Sequence, residues 1–214
     1  ATASPASIWP AGIVPTREYE AAVEHIRESA SNLFITGRAG TGKSTLLKCL
    51  ARAIGERSVT LAPTGLAAVN VGGQTIHSFF NFPPRLLDAG DARKIRNQRV
   101  VKAIETMVID EVSMVRADMM QAIDSTLRLN RGDKRPFGGV RMILSGDLHQ
   151  LPPVVGNDVE HILQDTYGGP WFFRAPVFAA AQFRLAALKQ IFRQEDAVFI
   201  RILTPGFVAH YAAR

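Results

Sequence analysis

One cysteine, Cys49, occurs in 214 residues, so no intrachain disulfide can form. That usage fits a reducing compartment: the cytoplasm of a bacterial-type cell, or the nucleus or mitochondrion of a eukaryotic one. No apolar run approaches the roughly 20 residues of a membrane-spanning helix, so no membrane partner is expected. Internal repeats are absent. Residues 1–15, rich in Ala, Ser and Pro, lack an apolar signal-peptide core and read as a flexible lead-in. Acidic residues are in deficit, 19 against 25 Lys plus Arg, and the net charge of +6 favours a polyanionic partner. What is present is ordinary: 47% hydrophobic and 21% charged residues exclude disordered and fibrous chains.

Short apolar runs alternate with helical patterns. Residues 16–30 predict a helix with Thr16 as its N-cap and Tyr19, Val23 and Ile26 as its apolar stripe. Residues 33–36, 58–62, 107–109 and 140–144 read as strands. Residues 45–54, 65–71 and 116–131 read as helices, with Cys49 a buried small residue among Leu46, Leu47 and Leu50. Strands in alternation with helices predict an α/β fold, a mainly parallel sheet covered on both faces. Trp171, Phe172, Phe173 and Phe178 read as core aromatics.

The segment GRAGTGKS, Gly37 through Ser44, fits the spacing G-x-x-x-x-G-K-[ST]. Glycines let the backbone curl, so that successive N–H groups face one concavity at a helix N-terminus, where phosphate oxygens bind. Gly37, Ala39, Gly40, Thr41, Gly42 and Thr45 would form that cradle. Lys43 would add a full charge at the β- and γ-phosphates, and Ser44 a hydroxyl for Mg²⁺. Strand 107–109 then delivers Asp110 and Glu111 at its C-terminal end, where open α/β sheets hold ligands. Asp110 would hold Mg²⁺, and Glu111 would deprotonate an attacking water.

Longer strings carry a resemblance. Residues 37–45 (GRAGTGKST) resemble helicase motif I, 62–80 (APTGLAAVNVGGQTIHSFF) motif Ia, and 109–115 (IDEVSMV) motif II. Residues 136–139 (PFGG) lead into 144–154 (LSGDLHQLPPV), which resembles motif III; 191–194 (IFRQ), with Asp196 and Phe199, resembles motif IV. The combination is similar to the Pif-type (petite integration frequency) DNA helicases, close to the RecD and Dda groups of superfamily 1.

The resemblance implies a RecA-like P-loop NTPase lobe over residues 16–190, with ATP and Mg²⁺ as cofactors and DNA unwinding of 5′→3′ polarity. It implies settings such as DNA repair, recombination and telomere maintenance. Gln150 would sense the γ-phosphate or the attacking water, and Arg193 would reach the γ-phosphate from a lobe junction. Residues 191–214 are expected to begin a second RecA-like lobe, otherwise missing here, and to end in a divergent tail. Motif Ia would line a channel for single-stranded DNA and single-strand/duplex junctions, through Thr64, Asn70, Gln74, Thr75 and His77. Phe79 and Phe80 offer a stacking face for bases, or one of the pair belongs to the core. The basic stretch 81–102, with Pro83 and Pro84, is a small wedge-like insertion or a solvated helix face. His149 is a further candidate for DNA contact.

One position departs from the family. Its members usually carry an adenine-reading glutamine in the first helix; here Tyr19 takes that place, as a residue to stack on the base. The preference for ATP over GTP is then open. Two other readings remain: a module that binds nucleotide and single-stranded DNA with little turnover, and a different P-loop NTPase.

Overall fold

A computed structural model of the chain describes residues 8–9, 13, 15–95, 98–150 and 152–192. Six strands form one sheet: β1 (Asn32–Gly37), β2 (Ser58–Ala62), β3 (Gln74–Thr75), β4 (Thr106–Ile109), β5 (Arg141–Gly146) and β6 (Phe183–Leu188). Their spatial order is β3-β2-β4-β5-β1-β6, and every pairing is parallel. The helices are α1 (Arg17–Glu28), α2 (Lys43–Ile54), α3 (Gly65–Asn70), α4 (Ile76–Phe80), α5 (Gln98–Ala103), α6 (Ala117–Arg131), α7 (Asn157–Tyr167) and α8 (Pro176–Ala181).

Strand alternation sorts the core into two layers. Leu33, Ile35, Val108 and Ile143 pack with α1 and α2 residues such as Val23, Ile26, Leu46 and Leu50. Phe34, Met107, Ile109, Met142 and Leu144 pack on the opposite face with Met120, Ile123 and Leu127 of α6. A sheet covered on both faces explains the near-continuous apolar strands. Thr16 caps α1 as its sequence predicts, its Oγ accepting from the Tyr19 N–H at 3.2 Å. Cys49 is fully buried on α2. That helix starts at Lys43 rather than residue 45, because the end of the Gly-rich turn supplies its first residues.

The described residues of the 81–102 insertion form a 3-10 turn at Ala89–Asp91 and most of helix α5, whose Arg99 and Lys102 are exposed. Phe82, Leu87, Val101 and Ile104, in or just after it, are buried in the main core. Its arginines are partly engaged: Arg85 makes a bidentate pair with Asp91, at 2.8 and 2.7 Å, and Arg93 approaches the same carboxylate. Of the four aromatics expected in the core, Phe172 is buried and Phe178 half-buried. Trp171 and Phe173 instead stack on each other at the surface, ring centroids 6.0 Å apart. Strand β6 carries helix-favouring Leu and Ala in FRLAAL, yet pairs with all six residues of β1.

Buried polar side chains of α6 tie the insertion down. The Asp118 carboxylate accepts from the Leu87 N–H at 2.8 Å and from the Arg116 guanidinium at 2.9 and 2.8 Å. Asn130 accepts from the Ile95 N–H and donates to the Arg93 carbonyl. Arg131 donates to the carbonyls of Val101 and Ile104. Removing one member of a buried ion pair strands its partner. Asp118→Ala should therefore cost about 3 kcal/mol of folding stability in urea titration; a loss below about 1 kcal/mol would show that Asn130, Arg131 and the apolar contacts hold the insertion without Asp118.

Candidate functional site

Strands β4, β5 and β1 lie side by side, and each ends at the same edge of the sheet in residues with chemistry. β1 runs into the Gly-rich turn, β4 into Asp110 and Glu111, and β5 into Asp147. The turn has little free space. A Cβ on Gly37 would stand 2.6 Å from Thr41 Oγ and 2.8 Å from the Leu188 carbonyl. Gly42 has φ +78°, and a Cβ there would collide with the Tyr19 hydroxyl. Both positions need glycine. Thr41 is buried and its hydroxyl donates to the Arg38 carbonyl at 2.9 Å. Ala39 and Ser44 are exposed; Gly40 and Thr45 are partly so.

Lys43 is 8% exposed and folds back over the loop, its Nζ donating to the Gly37 carbonyl at 2.8 Å and the Arg38 carbonyl at 3.3 Å. Across from it, Asp110 is buried, its N–H bonded to the Leu61 carbonyl. Burial, then the Asp110 charge, pushes the Glu111 carboxyl above its ordinary range; Lys43 pulls it back and Asp147 adds to the rise. Glu111 also stands in the left-handed region, φ 52° and ψ 41°, leading a 3-10 turn at Val112–Met114. Such strain in a non-glycine residue costs about 1–2 kcal/mol and concentrates at functional sites.

The donor set suits Mg²⁺. Ser44 and Asp110 could supply hard oxygen ligands. No cluster of three or more His, Cys, Asp or Glu able to hold a metal occurs among the described residues. Mg²⁺ commonly takes one or two protein ligands and completes its shell with phosphate and water.

A cleft of about 700 Å³ opens beside Glu111, lined by Thr64 and Asn70 of the α3 region and by Ser113, His149 and Gln150. Glu111 thus lines this cleft and also lies within electrostatic reach of the Lys43 ammonium. The expected residues Thr64, Asn70 and Gln150 meet there, joined by His149; Gln74, Thr75 and His77 lie outside the lining. Thr64 and Thr75 accept from backbone N–H groups as N-caps of α3 and α4. Gln74 is exposed on edge strand β3. His77 is half-buried, and burial, then Arg116, lowers its pKa, which leaves the ring neutral at pH 7. Asp147 passed unnoticed as a site residue. Its carboxylate accepts from the His149 N–H and its carbonyl from the Gln150 N–H, both at 3.0 Å. The Gly-Asp pair closing β5 mirrors the Asp-Glu pair closing β4, and was its sequence signal.

Two assignments are corrected. Phe80 is fully buried, stacked on Phe82 at 5.1 Å, so it belongs to the core and has no face for a base; Phe79 is half-buried against it. Tyr19 is 2% exposed, with Trp9 at 6.2 Å and Phe192 at 6.0 Å from its ring, so it cannot stack on a nucleobase. Arg193 lies outside the described residues.

Comparison with known proteins accounts for this arrangement. The model of the PIF1-like helicase family matches residues 16–170. The chain belongs to the PIF1-like helicase family. It is 33% identical over 202 residues to the ATP-dependent DNA helicase RRM3 of Saccharomyces cerevisiae, covering 89% of this chain and 27% of that protein. It is 32% identical to the ATP-dependent DNA helicase Pif1 of Bdellovibrio bacteriovorus, over 91% of this chain and 45% of the relative. The Bacteroides Pif1 helicase in complex with ADP-AlF3 and single-stranded DNA superposes with TM-score 0.82 at 39% identity, covering 89% of this chain and 46% of that one. The chain thus spans less than half the length of these relatives, and the RecA-like α/β fold is shared over nearly all of it.

Strain and charge crowding at Glu111 predict a stability–function exchange in this PIF1-like lobe. Asn tolerates the left-handed region and carries no charge. Glu111→Asn should raise folding stability by about 1 kcal/mol at pH 7; a destabilised variant in thermal melts would show that the Glu111 conformation is unstrained.

Proposed function

We propose that the chain is the nucleotide-hydrolysing lobe of an ATP-dependent DNA helicase. The position of Glu111 carries the reading: one carboxylate near the phosphate loop also lines the cleft of α3. In this reading, backbone N–H groups of residues 40–44 and the Lys43 ammonium hold the β- and γ-phosphates. Ser44 and Asp110 hold Mg²⁺, which when bound neutralises charge on the phosphates. Glu111 takes a proton from the attacking water. Burial, then the neighbouring Asp110 charge, raises its pKa and so makes it a stronger base. Gln150 orients the water or the γ-phosphate, since an amide both donates and accepts.

Single-stranded DNA would run along Thr64 and Asn70, where polar groups position a backbone without reading sequence. DNA in that cleft would press on the loop carrying Glu111 and Gln150, which couples strand occupancy to hydrolysis. Single-strand/duplex junctions would be the substrate, with 5′→3′ movement as in the family. Unwinding would need the second RecA-like lobe in cis, with Arg193 at the junction to stabilise transition-state charge.

DNA-stimulated ATP hydrolysis by the chain tests this. Lys43→Ala should lower the rate about a hundredfold or more. Equal rates would leave a binding module with little turnover. The rate should fall as pH drops through the Glu111 titration, because the protonated acid cannot accept a proton, and Glu111→Gln should abolish both activity and this limb. An unchanged limb in Glu111→Gln would assign the base elsewhere.

A further inference from the structure

Tyr19 stands where a base reader is expected and does something else. Its hydroxyl lies 3.0 Å from both the Thr41 and the Gly42 carbonyl oxygens and donates to the pair. These contacts cross from α1 to the phosphate loop, 22 and 23 residues apart in sequence. The two carbonyls belong to the peptide units whose N–H groups are those of Gly42 and Lys43. Peptide bonds here are trans, so each N–H points away from its carbonyl. Holding the two oxygens on the outside of the loop therefore turns those two N–H groups toward its inside.

The ring is fixed as firmly as the hydroxyl. Trp9 stacks on it at a 20° interplanar angle and Phe192 meets it at 52°. The Phe192 N–H in turn donates to the Gly40 carbonyl at 2.9 Å, binding a third peptide of the loop from the same aromatic cluster. Gly42 has no Cβ, which admits the hydroxyl at this distance. Burial pushes the Tyr19 hydroxyl up to about 12, so it keeps its proton across the physiological range and remains a donor.

We propose that Tyr19 is a positioning residue of the phosphate cradle, orienting the Gly42 and Lys43 N–H groups for a nucleoside triphosphate and taking no part in reading the base. The proposal rests on the nucleotide-binding reading above. With its hydroxyl committed to the loop and its ring buried beside Trp9 and Phe192, Tyr19 reads no base edge. Its contribution reaches adenine and guanine nucleotides alike, through the phosphates.

The test is binding of fluorescent N-methylanthraniloyl derivatives of ATP and GTP, with Mg²⁺, to the 214-residue chain, to Tyr19→Phe and to Lys43→Ala. Tyr19→Phe keeps the ring and deletes the hydroxyl. Affinity for both nucleotides should fall together, about five- to tenfold, the size of one lost hydrogen bond. The ATP-to-GTP ratio should stay within about twofold of the wild type, below the discrimination a hydrogen-bonded base reader supplies. In ¹⁵N–¹H spectra without nucleotide, the Gly42 and Lys43 amide signals should shift in Tyr19→Phe, a local readout independent of affinity. Unchanged affinity in Tyr19→Phe, a changed ATP-to-GTP ratio, or unmoved Gly42 and Lys43 signals would each overturn the proposal while leaving nucleotide binding intact. A wild-type chain that binds neither nucleotide, or binds both as well after Lys43→Ala, would overturn the underlying reading and this proposal with it.

Discussion

The Lys43 ammonium is almost enclosed by protein, held by the Gly37 and Arg38 carbonyls and near enough to Glu111 to shift its ionisation. A buried cation needs compensating oxygens, and the fold supplies them from neighbouring strands of one sheet. β1 brings the carbonyls of the loop; β4 brings Asp110 and Glu111; β5 brings Asp147. The central order β4-β5-β1 puts these three strand ends side by side. Parallel strands make that possible, since every one of them finishes at the same edge.

Departures from easy packing gather around this point. Glu111 adopts a backbone conformation that most side chains avoid, and its charge is raised in energy by burial and two neighbouring acids. Gly42 leaves just enough room for the Tyr19 hydroxyl. The two core layers hold these features in place. One packs α1 and α2 under the phosphate loop, the other packs α6 beneath β4 and β5. α6 also anchors the segment between motifs Ia and II, through Asp118, Asn130 and Arg131.

Much of the site was readable from residue types because its chemistry needs particular backbones. Glycines at 37 and 42 answer a close approach and a positive φ, and an acidic pair after an apolar run answers a strand end. The failures have a common physical cause: a side chain's exposure depends on partners distant in the chain. Phe79 and Phe80 are chemically identical, and their places in the fold, Phe80 inside the cluster with Ile76 and Phe82, decide which one is core. Tyr19 has the size and polarity of a base-stacking residue until Trp9 and Phe192 flank its ring. β6 has little sequence signal, since FRLAAL lacks β-branched residues, and it forms where β1 offers a full edge to pair with.

Nucleotide binding in this lobe requires Lys43 to exchange two carbonyl oxygens for phosphate oxygens. A crystal structure of the chain with Mg²⁺ and a non-hydrolysable ATP analogue tests it most directly. The triphosphate should lie inside the loop of residues 37–44, with Lys43 Nζ moved off the Gly37 and Arg38 carbonyls onto the phosphates. Glu111 should keep its left-handed backbone beside them. An analogue bound elsewhere, or a Lys43 that stays on the two carbonyls with the loop empty, would contradict the account.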